Sequence, residues 1–217
     1  MKRWLKVYMY GLLISFLGTL PFGTLNITAF HLSASKSVSE AFIYVTAVVL
    51  VELIVVRLTL MGDSKINFEG KWSFYVLPLG VLLLMYLAIS SFISLSAPQE
   101  LRASANLFPA IQSSFLLGLL LSVLNPMHIP FWIGWNRFLI AKKTLDSGKG
   151  MYASYILGIG LGSLGAFMIF IFAGKYIFQN YEQYSFIITF ALGLLYLGFS
   201  FYLLFLIYKR ILKLKIQ

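Results

Sequence analysis

The chain has 217 residues, 60% hydrophobic and 11% charged, with a mean hydropathy of +0.88, whereas a soluble domain carries roughly a quarter charged residues. Its net charge of +10 would suit nucleic acid, but the bases stand in short clusters beside apolar runs and form no soluble basic face that could track phosphates, so nucleic acid is excluded as a partner. With no cysteine, disulfides, thiolate nucleophiles and Cys-based metal sites are excluded as well.

Six apolar runs are each comparable with the roughly 20 residues that cross about 30 Å of hydrocarbon. They are Val7 to Phe30, Val38 to Gly62, Trp72 to Leu95, Pro109 to Trp132, Met151 to Gly174 and Tyr184 to Tyr208. The first follows Lys2, Arg3 and Lys6, as a secretory signal would, but no small-residue cleavage site ends it, so a retained span is expected. Within it Pro21 lacks an amide hydrogen and should free the carbonyl of Leu17, while Gly23 lets the chain bend or unwind and Asn26 follows closely. Gly11, Ser15 and Gly18 share one face and permit close helix packing. His31 sits at its outer end.

The second run contains Glu52, the one acidic residue near the middle of an apolar run. A charge at that depth costs on the order of 2.5 to 3.5 kcal/mol, which fourteen Leu, Ile, Val and Phe residues, at about 0.3 to 0.6 kcal/mol each, offset. Glu52 should therefore face the bundle interior, where proton binding and release become accessible to it. Arg57, about 140° further around that helix, is poorly placed to pair with Glu52 and is expected to snorkel. The third run's LPLGVLLLMYL resembles FALGLLYLGFS in the sixth and pairs Gly80 with Gly193.

The fourth run repeats the features of the first. Asn125 and Pro126 lie past its middle, Pro126 should free the carbonyl of Ser122, and Pro130 should extend the disruption by freeing that of Pro126. His128 follows the break as a candidate proton shuttle. Freed carbonyls suit an ammonium group or cation, and the N-terminal end of a half-helix suits a carboxylate. In the fifth run Gly158, Gly162 and Gly165 fall on one packing face.

Matching features three helices apart mean that the second copy crosses the membrane in the opposite sense. The expected fold is an all-α integral membrane protein with six transmembrane helices as a 3+3 inverted repeat, a single transmembrane domain over 1–217 with repeats at about 1–95 and 109–217. With the N-terminus inside, the cytoplasmic side holds Lys2, Arg3, Lys6, Lys65, Lys71, Arg137, Lys142, Lys143, Lys149, Lys209, Arg210, Lys213 and Lys215, against Lys36, Arg102 and Lys175 outside. Both termini are thus expected to be cytoplasmic. Trp4, Trp72, Trp132, Trp135 and Tyr184 lie near the expected ends and fit interfacial anchors. No catalytic constellation is found, so the chain is not read as an enzyme; neither a cofactor nor a metal is called for, since two histidines on separate helices make a poor metal site.

The stretch FLLGLLLSVLNPMHIPFW, residues 115–132, resembles the Gly-x-x-x-x-x-x-Asn-Pro-Lys segment of the LysE/RhtB superfamily of amino acid exporters, with Gly118, Asn125 and Pro126 matching and Met127 in place of the lysine. LPFGTLN, residues 20–26, is similar to that family's Pro-Gly-Pro-Asn region through Pro21 and Asn26, without its second proline. Glu52 and the pattern around Gly80, Tyr86 and Leu87 also correspond. The resemblance implies a multi-pass protein of the bacterial inner membrane whose partners are the lipid bilayer, a small-molecule substrate and protons. It implies export of an amino acid or related metabolite by proton antiport, with Glu52, Pro21, Gly23, Asn26, Asn125, Pro126, Ser122 and His128 as candidate substrate-binding or coupling residues. A cationic amino acid is not implied, because the lysine is replaced, and assembly as a homo-oligomer is left open. The alternatives are an exporter of metal or other inorganic ions, because carbonyls and a carboxylate also hold hard cations, and a non-transporting membrane assembly or scaffold factor.

Overall fold

The computed structural model describes residues 3–20, 23–61, 71–96, 111–125, 127–146, 148, 150–177 and 181–216; the side chains of 71–77, 177, 181–185 and 210–216 are outside the description. Lys2, Pro21, Gly62, Lys65, Arg102, Pro109, Pro126 and Lys149, all named above, lie outside the described residues. So do the side chains of Lys71, Trp72, Tyr184, Arg210, Lys213 and Lys215.

The described residues are largely helical, with no strand among them. Helices α1 (Arg3–Thr19) and α2 (Thr24–Ser35) precede α3 (Val38–Met61) and α4 (Lys71–Ser94). Then come α5 (Ser114–Val123), α6 (His128–Ala141), α7 (Met151–Phe172), a π-helical turn over Ala173–Ile177, and α8 (Tyr181–Ile216). Leucine-rich and β-branched runs with almost no charge can satisfy their backbone in lipid only as helices.

Three stretches are long and apolar enough to cross a membrane: Val38–Met61, Met151–Tyr176 and Phe186–Lys209. Two bent pairs bring the total to as many as five, with α1 and α2 meeting at 75° and α5 and α6 at 62°. The third expected run falls in α4, whose stretch Pro78–Ser94 is apolar but shorter than those spans.

Helix α1 packs most extensively on α7, α4 on α8, and α3 on α5. Glycines set the first of these. A Cβ at Gly158 would land on the Tyr8 carbonyl, one at Gly162 on the Leu12 carbonyl, and one at Gly11 on the Tyr155 carbonyl. Both faces expected from the glycine spacing therefore meet each other, except that Gly18 abuts the Phe131 ring and Gly165 only touches Phe16. The same arrangement recurs elsewhere, because Gly118 of α5 sits against the Tyr44 carbonyl of α3. Gly80 and Gly193 face each other's helices in turn, Gly80 meeting Leu203 and Gly193 meeting Phe92.

Contacts at the helix ends fix the relative directions. Arg3 pairs with Asp146 at 2.5 Å and donates to the Lys143 carbonyl at 3.0 Å, so α1 begins where α6 ends and α7 begins. Asn136 of α6 bonds Thr59 near the end of α3, while Ser114 at the start of α5 donates to Glu40 at the start of α3 at 2.5 Å. Helices α1 and α5 thus run in opposite senses. At the end remote from Arg3, α2 packs on the π-helical turn, with Ser33 donating to the Ile171 carbonyl at 2.7 Å and Gly174 against the Phe30 carbonyl.

If backbone contact at the glycines holds α1 on α7, Gly158→Ala should destabilise the protein by about 1–3 kcal/mol, the usual cost of overpacking. Thermal unfolding in detergent would measure it, and an unchanged midpoint would mean that the two helices can part at no cost.

Candidate functional site

The two helix breaks and Glu52 face one cavity of about 260 Å³. That is just below the roughly 300–1,000 Å³ common for small-molecule pockets. Thr19, Gly23, Thr24 and Asn26 line it from the first break, and Leu124, Asn125, Met127 and His128 from the second. Phe131, Trp132, Phe167 and Phe199 supply aromatic walls, and Ser15 and Glu52 complete the polar lining. Apolar walls with a few convergent polar groups are the ordinary make-up of a ligand site.

Each break is held by an asparagine. The Asn26 side-chain amide donates to the Thr19 carbonyl, which closes the first gap. At the second, Asn125 Oδ1 accepts from the Met127 amide at 3.1 Å, and the Asn125 carbonyl accepts from the His128 amide at 3.4 Å. The half-helices α2 and α6 then start at the cavity with Gly23 and Met127 as N-caps, neither giving a side-chain cap. Two positive dipole ends therefore border the same space.

Glu52 lies on α3, 7% exposed. Its carboxyl accepts from the Ser163 hydroxyl of α7, which is itself hydrogen-bonded to Ser15 of α1. The Trp132 indole of α6 and the Ser15 hydroxyl also serve the carboxyl. Three neighbouring helices thus supply neutral donors. Among the described residues no Lys or Arg pairs with it, the ion pair there being Arg3–Asp146. A carboxyl so held is open to the cavity for a proton or a cationic ligand group.

Gly23, Asn26, Glu52, Asn125 and His128 thus come together, while Pro21 and Pro126 lie outside the described residues. Ser122 differs from expectation. Its hydroxyl donates to the Val48 carbonyl at 3.2 Å and approaches His128 Nδ1 at 3.5 Å, but it does not line the cavity. Nor is its carbonyl a bare acceptor, since the Asn125 amide reaches it at 3.2 Å in a tightened last turn. Pro130 does not extend the break either, because it occupies the first turn of α6, where no helical amide bond is lost. Trp132, expected at the membrane interface, is instead 1% exposed and packed beside Glu52. Arg57 is exposed and apart from the site, and His31 is buried in α2 with Ser35 Oγ 3.3 Å from its Nε2.

Ser163, Thr19 and Trp132 are not singled out as site residues by sequence reasoning, and Ser15 only as a packing residue. A signal for Ser163 exists: it flanks the Gly158–Gly162 face of α7 that packs on α1. Among the described residues no group of three or more His, Asp or Glu could hold a metal ion.

A family model described as LysE type translocator matches residues 16–206. No curated protein and no solved structure matches the chain.

The Glu52–Ser163 bond can be isolated by a double-mutant cycle. Ser163→Ala should cost about 1–3 kcal/mol of stability when Glu52 is present, because it strips a donor from a buried carboxyl. With Leu at position 52 the same change should cost only what the Ser15–Ser163 bond contributes, giving a coupling of about 0.5–3 kcal/mol in thermal unfolding. Additive losses would show that the bond contributes nothing.

Proposed function

Because the chain belongs to the LysE type translocator family, whose members are membrane transporters of small molecules and not enzymes, we propose that it exports an amino acid or closely related metabolite across the bacterial inner membrane by proton antiport. The observation that carries this reading is the shared cavity onto which both helix breaks and Glu52 open. A zwitterion needs opposite partners a few ångströms apart. The starts of α2 and α6 offer amide groups and positive dipole ends to its carboxylate, and Glu52 offers a negative partner to its ammonium group. The cavity's small volume favours a single amino acid over a peptide, and its aromatic walls favour an uncharged side chain.

In the proposed cycle Glu52 binds either a proton or the substrate's ammonium group. Protonation from one side removes the negative partner and releases the substrate there, and deprotonation on the other side restores it. Asn26 and Asn125 hold the breaks in shape, and His128 borders the cavity as a second proton-binding group. The reciprocal glycine contacts and the opposed directions of α1 and α5 support a 3+3 inverted repeat of six spans, the architecture on which rocking of one triplet against the other operates. The clustering of Lys and Arg supports both termini on the cytoplasmic side.

Proteoliposomes loaded with a pool of radiolabelled proteinogenic L-amino acids test the assignment. An imposed proton gradient should drive label across the wild-type membrane, and Glu52→Gln should lower that flux by at least about a hundredfold while the protein remains inserted. Full gradient-driven flux in the variant would remove Glu52 from the mechanism, and a wild type that moves no amino acid would overturn the substrate class. Topology is accessible separately, since the chain has no native cysteine. Single cysteines at Gly148 and Gln217 should react with an impermeant maleimide only from the cytoplasmic side, and labelling from outside would reverse the orientation.

A further inference from the structure

Polar and apolar groups are not spread evenly around the cavity. Every polar side chain that lines it comes from α1, α2, α3, α6 or the two breaks, whereas α4 and α8 contribute only Leu83, Leu84 and Phe199. These two helices, packed on each other, thus present a wall of hydrocarbon alone. No group on it can hydrogen-bond a ligand.

That wall is tied to both breaks. Along α8, Tyr196, Phe199 and Tyr202 recur every three residues and share one side of the helix. The Tyr196 hydroxyl meets Thr28 Oγ1 of α2 at 2.7 Å, and the Tyr202 hydroxyl lies 3.9 Å from Met127 Sδ at the second break. Phe199, between them, faces the cavity. On α4, Gly80 stands one turn before Leu83 and Leu84, and a Cβ there would come within 3.4 Å of the Leu124 carbonyl at the same second break. Ser200, next to Phe199, reaches the Val81 carbonyl of α4 at 3.5 Å. The position of Phe199 is therefore fixed along its own helix and across to its neighbour.

The other phenyl rings of the lining are committed elsewhere. Phe131 lies against Gly18 and edge-on to Trp132, with centroids 5.0 Å apart, and Phe167 is 2% exposed within the core. Phe199 and Leu83 keep part of their surface uncovered.

We propose that the α4–α8 wall is the side-chain subsite, that it selects an aliphatic amino acid, and that Phe199 is the residue that sets the length accepted. The inference deepens the transport reading and rests on it. With the ammonium group at Glu52 and the carboxylate at the starts of α2 and α6, the polar walls are taken by the main-chain groups of the substrate. Its side chain then points to the wall that offers no polar partner. A charged or amide side chain would lose its water there without compensation, whereas an aliphatic one would gain by leaving water.

Proteoliposomes loaded with the radiolabelled amino acid pool, with the transported set resolved by chromatography, read selectivity as ratios within one sample, so that losses of expression or folding cancel. Wild type should move valine, leucine, isoleucine and methionine at least about tenfold faster than aspartate, lysine or asparagine. Phe199→Ala should raise the ratio of tryptophan to valine at least about tenfold, since a single methylene in an apolar pocket is worth roughly 10–200-fold. Phe199→Trp should lower the ratio of leucine to alanine by a similar factor. Leu83→Ala, a milder change in the same wall, should act in the direction of Phe199→Ala and keeps the ratio readable if the Phe199 variants do not insert. Phe201→Ala alters a ring on the same helix that is 57% exposed, and it should leave the ratios at their wild-type values. Ratios unmoved by the three wall variants, or moved as far by Phe201→Ala, would overturn the proposal. A wild type that prefers charged or amide side chains would overturn it too, while leaving amino acid export standing. A wild type that moves no amino acid would defeat the transport reading and the subsite with it.

Discussion

A helix interrupted inside an apolar layer leaves amides and carbonyls that no lipid can satisfy, and the rest of this structure is arranged around that constraint. The chain meets it in two ways. Some loose groups are closed locally: the Thr19 carbonyl receives the Asn26 side-chain amide, the Ser122 carbonyl receives the Asn125 amide, and Asn125 Oδ1 takes the Met127 amide. What remains, chiefly the uncapped starts of α2 and α6, is turned toward a cavity. The breaks and the cavity therefore require each other. Unbroken helices would leave nothing to line it, and without it the breaks would be a net cost.

Packing and chemistry are linked through the glycines. Ser15 and Ser163 can join Glu52 only because α1 approaches α7 to backbone contact, and that approach depends on Gly11, Gly158 and Gly162 having no side chain. The hydrogen-bond chain runs along the glycine seams: Ser15 is four residues after Gly11 on the same face, and Ser163 flanks the Gly158–Gly162 face at its edge. A residue that would read as packing alone thus also sets the environment of the buried acid. The same economy places Trp132 beside the carboxyl, its large apolar body filling space and its indole nitrogen supplying a donor.

The sequence is most legible where one residue type has few uses. A lone carboxyl among fourteen aliphatic and Phe side chains has to face inward, and proline with asparagine past the middle of two runs has to interrupt them, so the polar corners of the cavity can be read in advance. The glycine faces are also legible, because regular spacing on one helix has little other meaning. Ser163 and Trp132 are not, since a hydroxyl or an indole in an apolar run gains its role only from what packs against it. Ser122 and Pro130 go the other way. The local rule for proline omits the tertiary context, in which a tightened turn recovers the Ser122 carbonyl and a proline in the first turn of α6 breaks nothing.

The character of the donors around Glu52 bears most directly on coupling. An arginine or lysine at that place would hold the carboxyl ionised throughout a cycle and leave it nothing to exchange. Hydroxyl and indole donors impose no such choice, because they can hydrogen-bond an ionised carboxylate, and a protonated one still has acceptor oxygen for them. A group that exists in both forms in one pocket can respond to whichever ligand arrives, and antiport demands that proton and substrate compete.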